Sequence, residues 1–537
     1  MNEKSENRLM KDNQQRIGVV VCTCGSSLFT EKELERISGQ IERQGASAPQ
    51  ILIHSNLCSP EQLRDVAKRI RSERMDKVVL AACAPLDREQ LPDEIAAKAG
   101  LSPSSVYPVA VKSIKGKARM RRIEGEIRKA VSAVTRIPSF ESREITLNNN
   151  VMVLGGGPAG LYAAAELNAL GYPTVVVERE KQISGLEAIT AYEGKDFGKR
   201  LDGVRLQSGS RLKELSGHVG RFTARLETTG GRQEDLQFGA LVVATGVVLD
   251  PAEAGLYDHH LTVPLADLVR RTEALPRRKE IRHIAIVLDT RLEETKASSE
   301  LALELAAGLQ DREQRQIYLF CREVRVSALG MQGLYDRVRD SGVQIIKYEG
   351  QPSFEAIDGK LKISYRDAIF EQECELECDL AGISPLGLQC RADSFLADIL
   401  GLSTDIQGQL QENNIHLFPE ATNRPGIFVA GACCGRFYLP QIAADANNVA
   451  LAVDRLLGPG TLSVELSSPV VDPDKCILCL TCVRCCPYHA MEVDHQAGAA
   501  VSIPEACQRC GICAGECPAR AITLPAWSDA VLAEQLA

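Results

Sequence analysis

Cysteine dominates the chemistry this chain could perform. It has 19 cysteines among 537 residues, and nine of them fall between Cys476 and Cys517. Residues 474–487 read DKCILCLTCVRCCP and residues 505–518 read EACQRCGICAGECP. Each segment holds C-x2-C-x2-C-x3-C-P. Cys476, Cys479, Cys482 and Cys486 recur 31 positions later as Cys507, Cys510, Cys513 and Cys517, and Pro487 recurs as Pro518. Three thiolates two residues apart can wrap a tight loop around three corners of a cubane, and in such paired runs the fourth cysteine ligates the other cluster. The pattern therefore assigns Cys476, Cys479, Cys482 and Cys517 to one 4Fe-4S cluster, and Cys507, Cys510, Cys513 and Cys486 to a second. Paired zinc sites would also use C-x2-C, but they do not call for two complete runs each closed by proline. Cys485 is left over and is read as a packing residue.

A second constellation is built from glycine. Residues 151–178 read VMVLGGGPAGLYAAAELNALGYPTVVVE. An apolar strand runs into Gly155, Gly157 and Gly160, an Ala- and Leu-rich helix follows, and a second strand ends at Glu178. In that context Gly155 permits the tight turn, Gly157 admits a pyrophosphate to the backbone, and Gly160 allows close packing of helix on strand. The helix N-terminus favours the phosphate charge, and Glu178 can accept hydrogen bonds from a ribose. Pro158 suits the first helical turn, where an N–H has no intrahelical partner. LVVATG (241–246) and GIFVAG (426–431) are further strands that end in glycine.

A third candidate site depends on topology. Strands are expected at IGVVVC (17–22), QILIH (50–54) and KVVLAAC (77–83), with helices at 31–43, 61–73 and 115–133, an alternation that implies a parallel sheet. Cys22 and Cys24 end the first strand, Cys58 follows the second and Cys83 ends the third. The C-terminal ends of parallel strands share one edge, where ligands usually bind. These four could hold a third 4Fe-4S cluster; buried packing cysteines and a thiol redox pair are the alternatives.

The elements that must position these groups make an α/β multidomain chain. It comprises a tail (1–16), an N-terminal parallel α/β domain (17–140), a dinucleotide-binding flavoprotein fold (147–465), a C-terminal α+β cluster domain (468–525) and a second tail (526–537). Lys plus Arg total 62 and Asp plus Glu 71, a net charge of −9 with no long basic tract, which argues against nucleic-acid binding driven by bulk charge. No run of 18 apolar residues occurs, so no membrane span is expected. The N-terminus lacks the apolar core of a signal peptide, and thiols clustered in this way suit the reducing cytoplasm. Within the flavoprotein fold, residues 280–370 alternate strand and helix again: 283–289, 298–309, 316–321, 331–341, 343–348. The turn after the first strand, DTRLEETKASSE, has no glycine, so a side chain would stand where a pyrophosphate must approach. A degenerate nicotinamide subdomain is expected, with electrons entering through clusters or partner proteins.

The glycine turn, LVVATG and GIFVAG, in that order, resemble the FAD-binding domain of thioredoxin-reductase-type flavoproteins, and the C-terminal runs resemble a bacterial-type two-cluster ferredoxin. Together with VCTCG (21–25), LCSPEQL (57–63), VVLAACAPLDRE (78–89), LYDRVRDSGVQIIK (334–347) and GIFVAGACCG (426–435), the whole resembles the A-type subunit of heterodisulfide reductase over roughly 17–525. The resemblance implies FAD held by Gly155, Gly157, Ala159, Gly160, Glu178, Arg179, Thr245, Gly246, Gly431 and Gln441. It also implies a flavin that can branch electrons between clusters. Partners would be B- and C-type redox subunits linked to a hydrogenase or formate dehydrogenase, with a homodimer inside the larger complex left open. A self-contained NAD(P)H-dependent reductase like the glutamate synthase small subunit is the alternative. The chain departs from the pattern in two places. Ala432 stands where the flavoproteins often have Asp, and the 62 residues between Glu178 and Leu241 contain no cysteine. The ferredoxin module that methanogen versions insert there is therefore missing.

Overall fold

The structure is a computed structural model. It describes residues 15–42, 49–83, 91–183, 185–246, 260–268, 281–288, 296–310, 315–327, 330–384, 394–405, 409–414, 418–436 and 438–536. The chain folds as two compact units: Leu147–Gly460 forms one, and the segments before and after it form the other.

The first unit begins with β1 (Ile17–Cys22), α1 (Glu31–Glu42), β2 (Gln50–His54), α2 (Pro60–Ser72), β3 (Lys77–Ala82), α3 (Leu91–Ala99), β4 (Val106–Ala110) and α4 (Arg119–Arg136). The strands pair in parallel in the order β2-β1-β3-β4. Pleating sends alternate residues to opposite faces. Val20 and Cys22 pack with Leu63, Val66 and Ile70 on one face, while Val19 and Val21 pack with Ile37, Ile123 and Ile127 on the other. The expected elements form. β4 and α3 are additions, and β4 carries Pro108, which a sheet tolerates on an edge strand.

β5 (Ser142–Thr146) leads out of this unit and β21 (Thr461–Glu465) leads back; the two are antiparallel partners, Thr146 opposite Thr461. The returning segment holds β22 (Val470–Val471), α9 (Thr481–Cys485), β23 (Met491–Asp494), β24 (Ala499–Ser502), α10 (Ile512–Gly515), β25 (Ile522–Thr523) and α11 (Asp529–Leu536). Residues 526–537, expected as a tail, instead carry α11. Val531 of this helix and Ala526 just before it are buried against Ala133 and Ile137 of the α4 region. Glu534 fixes it through Arg136 and Ser132 Oγ (2.6 Å). The opposite tail, 1–16, lies outside the described residues up to position 14.

The second unit holds β6 (Val151–Leu154), α5 (Pro158–Ala169), β7 (Thr174–Val177), β8 (Arg205–Gln207), a three-stranded antiparallel layer of β9 (Ser210–His218), β10 (Arg221–Thr228) and β11 (Gln233–Phe238), then β12 (Ala240–Val243). β20 (Ile427–Val429) completes a parallel sheet in the order β20-β12-β6-β7-β8, and α8 (Leu439–Leu457) packs on α5. Between β12 and β20 lies a seven-stranded sheet, β13-β19-β14-β15-β16-β17-β18. Its strands are β13 (Thr262–Pro264), β14 (His283–Val287), β15 (Gln316–Cys321), β16 (Gln344–Ile357), β17 (Lys360–Asp367), β18 (Glu373–Cys378) and β19 (Leu380–Ile383), with α6 (Lys296–Gln310) and α7 (Met331–Asp340) as crossovers. The alternation expected over 280–370 is present. The glycine-free turn after β14 and Cys390 lie outside the described residues.

Candidate functional site

The C-terminal module preserves the duplication in its backbone. Leu478, Leu480 and His489 take left-handed φ angles of 52°, 61° and 51°, and their counterparts 31 positions on, Arg509, Gly511 and Arg520, take 55°, 83° and 48°. Non-glycine residues pay for this conformation, and folding the chain around a cubane requires the same turns in each half. The backbone N–H groups of Ala490 and Ala521 each donate to a cysteine sulfur, Cys486 Sγ and Cys517 Sγ, both at 3.3 Å. Cys476, Cys479, Cys482 and Cys517 line one cavity, so the last cysteine of the second run joins the first three of the first run. In the other half, burial pushes the Cys513 thiol up to about 12, helped by its neighbours Cys507, Cys486 and Cys510. Cys476, Cys479, Cys482 and Cys517 thus share one cavity, and Cys486, Cys507 and Cys510 neighbour Cys513. Four thiols this close repel one another as thiolates, and a cationic centre reverses that balance. Cys485 stands outside both quartets, its Sγ donating to Cys482 O at 3.8 Å.

The glycine turn forms as expected. Gly155 has φ 116°, and a Cβ there would lie 2.3 Å from Ala244 O; a Cβ at Gly160 would lie 1.9 Å from Gly155 O. At Gly157, the N-cap of α5, a Cβ would meet nothing within 4 Å, so this is the open side of the turn. A cavity of about 180 Å³ beside it is lined by Gly155, Glu178, Arg179, Thr245 and Gly246, five of the ten residues expected to hold FAD. Thr245 Oγ1 is buried without a hydrogen-bond partner, an acceptor and donor left for a ligand. Glu178 accepts the N–H groups of Gly156 (2.6 Å) and Glu180 (2.8 Å), which orient its carboxylate. Gly431 reaches the same turn, since a Cβ on it would lie 2.5 Å from Ala159 Cβ. Gln441 sits in the first turn of α8 and does not line the cavity. These residues fit a dinucleotide.

Several contributors were not legible in the motif. Ser210, Arg211 and Lys213 of β9 and Phe395 line the cavity, and only the alternation of β9 hints at them. With Ala432 in place of Asp, the carboxylate near the Gly431 amide is Asp445 of α8, which pairs with Arg436 Nε at 3.3 Å. Arg436 also bonds Glu412 (2.8 Å) and Cys434 Sγ (3.0 Å). Cys433 and Cys434 are buried in the core beneath β12 and β20, Cys433 Sγ lying 3.3 Å from Val243 O and from Ala430 O. They pack against carbonyls rather than open onto the cavity.

At the N-terminal sheet edge, burial raises the Cys83 thiol pKa, and the neighbouring sulfurs of Cys24, Cys22 and Cys58 raise it further. The parallel topology places the ends of β1, β2 and β3, which carry or precede these four, along one sheet edge. Thr23 N–H donates to His54 O (2.9 Å) and Gly25 N–H to Ser55 O (2.6 Å), tying the first loop to the second. Cys22 is buried, Cys24 and Cys83 are half-buried and Cys58 is exposed. His54, opposite Cys22 in the β1–β2 register, is buried with Nδ1 3.2 Å from Gln62 Oε1 and Nε2 without a partner. A strand-terminal histidine carried no motif that could have flagged it.

Comparison with known proteins agrees with this geometry. Residues 115–286 match the pyridine nucleotide-disulphide oxidoreductase family, and residues 468–523 match the 4Fe-4S dicluster domain. The second A-type iron-sulfur subunit of the CoB--CoM heterodisulfide reductase of Methanopyrus kandleri is 23% identical, over 91% of this chain and 93% of its own. The A-type subunit of the H(2):CoB-CoM heterodisulfide,ferredoxin reductase of Methanothermobacter marburgensis is 21% identical, over 90% of this chain and 91% of its own. Among solved structures, T. acidophilum thioredoxin reductase superposes with a TM-score of 0.42 at 16% identity, covering 57% of this chain and 97% of that one. Along about 90% of its length the chain is similar to A-type subunits of heterodisulfide reductases, and it carries a region like the pyridine nucleotide-disulphide oxidoreductases and a C-terminal region like 4Fe-4S dicluster domains.

Proposed function

We propose that this chain is the FAD- and iron–sulfur-bearing subunit of a cytoplasmic heterodisulfide-reductase-like complex, passing electrons between its 4Fe-4S clusters and FAD. The observation that carries the reading is the pair of crossed cysteine quartets in a chain that also builds an open dinucleotide turn at Gly157. Cys476, Cys479, Cys482 and Cys517 hold one cluster, and Cys507, Cys510, Cys513 and Cys486 the other. Gly155, Gly157, Gly160 and the α5 N-terminus receive the pyrophosphate, Glu178 the ribose, and Thr245 and Gly246 close the cavity. FAD, when bound, supplies the step between two-electron and one-electron chemistry. Partner subunits of the B and C type, linked to a hydrogenase or formate dehydrogenase, deliver and remove the electrons. Cys22, Cys24, Cys58 and Cys83 hold a third cluster, which gives the flavin a second exit. Branching at the flavin belongs to the proposal only with that cluster, because two routes need two lines of carriers.

Iron and flavin content test this first. The proposal predicts one FAD and about twelve irons per chain, against about eight for two cubanes. Eight irons, unchanged by Cys58→Ala, remove the third cluster. Photoreduction of the clusters in the anaerobic full chain must then bleach the flavin, and clusters that reduce beside a flavin that stays oxidised contradict the proposal. One observation favours a second reading, an NAD(P)H-dependent reductase: strands β13–β19 form a seven-stranded sheet in the sequence between β12 and β20.

A further inference from the structure

The two cysteine runs are copies, yet the residue that follows the first cysteine by two differs completely. In the first run it is Leu478, 42% exposed. In the second it is Arg509, whose backbone N–H donates to Cys507 Sγ at 3.3 Å. Its guanidinium leaves the module and donates to Glu465 Oε2 at 2.7 Å and Ser467 Oγ at 3.1 Å. The Glu465 side chain is only 2% exposed. Its other oxygen accepts Ser104 N–H (3.1 Å) and Ser104 Oγ (2.6 Å), just before β4, and Ser467 Oγ donates to Oε2 at 2.7 Å. Burial opposes ionisation of Glu465, but these serine bonds outweigh it and hold the carboxylate below its ordinary range. Lys77, fully buried at the start of β3, is a second cation near it and donates to Pro138 O at 3.4 Å. So much hydrogen bonding to one carboxylate goes beyond what a surface ion pair requires. It fixes a charge pair, with Glu465 buried and Arg509 half-buried, beside one cysteine loop, where Leu478 brings no charge to the matching loop.

We infer that Glu465 and Arg509 are a positioning pair. They clamp the Cys507–Cys510 loop to the α/β half of the unit and set the reduction potential of the cluster in that loop apart from that of its twin. The inference rests on the reading that the two runs hold clusters. Reduction adds negative charge to a cluster, so an uncompensated Arg509 raises the potential and an uncompensated Glu465 lowers it; Coulomb interaction between partly buried groups is screened far less than at the surface. Among the described residues, no buried ion pair of this kind meets the loop of Cys476 and Cys479; the pair beside it, Lys475 with Asp472, lies at the surface.

The test is a potentiometric titration of the intact chain, followed by EPR, in Glu465→Gln, Arg509→Gln and the double variant. One cluster wave, the same one that Cys510→Ser perturbs, should shift upward in Glu465→Gln and downward in Arg509→Gln. Each shift should be about tenfold in the reduction equilibrium, about 59 mV for a one-electron couple. The double variant should return near the parent value, and the second wave should stay in place throughout. Loosening of the structure alone cannot give opposite shifts that cancel. Should Glu465→Gln not fold, Arg509→Gln and the double variant carry the test, because the double variant removes both partners of the ion pair together. Shifts of the same sign, equal movement of both waves, or no movement would overturn the inference. Fewer than eight irons in the parent chain would instead sink the reading beneath it.

Discussion

The first unit holds two cysteine-rich sites that are built in opposite ways. In the C-terminal module the buried apolar core consists of Cys482, Met491, Ala500, Cys513 and Ile522, two of which are themselves candidate ligands. The N-terminal quartet stands at the edge of a four-stranded sheet with apolar cores on both faces. In one region the candidate ligands are part of the core; in the other they stand at the edge of a sheet that has its own cores. Small domains that cannot bury enough apolar surface depend on metals in this way, and their binding free energy is folding free energy.

The largest effect that separates the two comes from stripping iron. Anaerobic chelation of the full chain should unfold the C-terminal module and leave the N-terminal sheet intact. Hydrogen exchange should then show protection lost at β22–β25 and kept at β1–β4; loss at both would erase the distinction. Single ligands give the next contrast. Cys510→Ala should remove about four irons and lower thermal stability of the module. Cys58→Ala should remove as many from the other site, yet change stability by no more than about 0.5 kcal/mol, because Cys58 is exposed and its helix α2 is held by Leu63, Val66 and Ile70. Calorimetry with iron analysis decides whether the two losses part company.

The flavin turn lies in the other unit and serves as an independent control. Gly160→Ala forces a methyl toward Gly155 O and should cost about 1–3 kcal/mol, with FAD lost and iron retained. Iron that falls together with FAD would show that the sites do not assemble separately. The smallest effect is expected at Cys485→Ser: full iron content and an unchanged EPR spectrum, since the residue stands outside both quartets.

How far the sequence disclosed these sites follows the same division. The C-terminal runs were legible because three candidate ligands of each lie two residues apart, so local spacing specifies the loop; the fourth crosses from the other run. The glycine turn was legible for the same reason, down to the crowding at Gly155 and Gly160. The N-terminal quartet needed strand order as well as position, and only the parallel alternation supplied it. What stayed hidden depends on side chains that reach across the fold. Asp445 of α8 pairs with Arg436 in the loop before it, and Glu465 meets Ser104 from 361 residues away. β4 was masked by Pro108, a residue that argues against a strand until the strand proves to be an edge. β17 and the far half of β16 were missed because β16 extends well past the parallel segment its apolar residues announce.

The central claim is that this flavoprotein exchanges electrons through iron–sulfur clusters and protein partners. Its most direct test is anaerobic stopped-flow spectroscopy of the FAD- and iron-replete chain alone, mixed in turn with excess NADH, NADPH and a reduced low-potential ferredoxin. The account predicts prompt bleaching of clusters and flavin by the ferredoxin and an oxidised flavin spectrum with either nicotinamide. Rapid flavin bleaching by NADH or NADPH, in the absence of any partner, would contradict it.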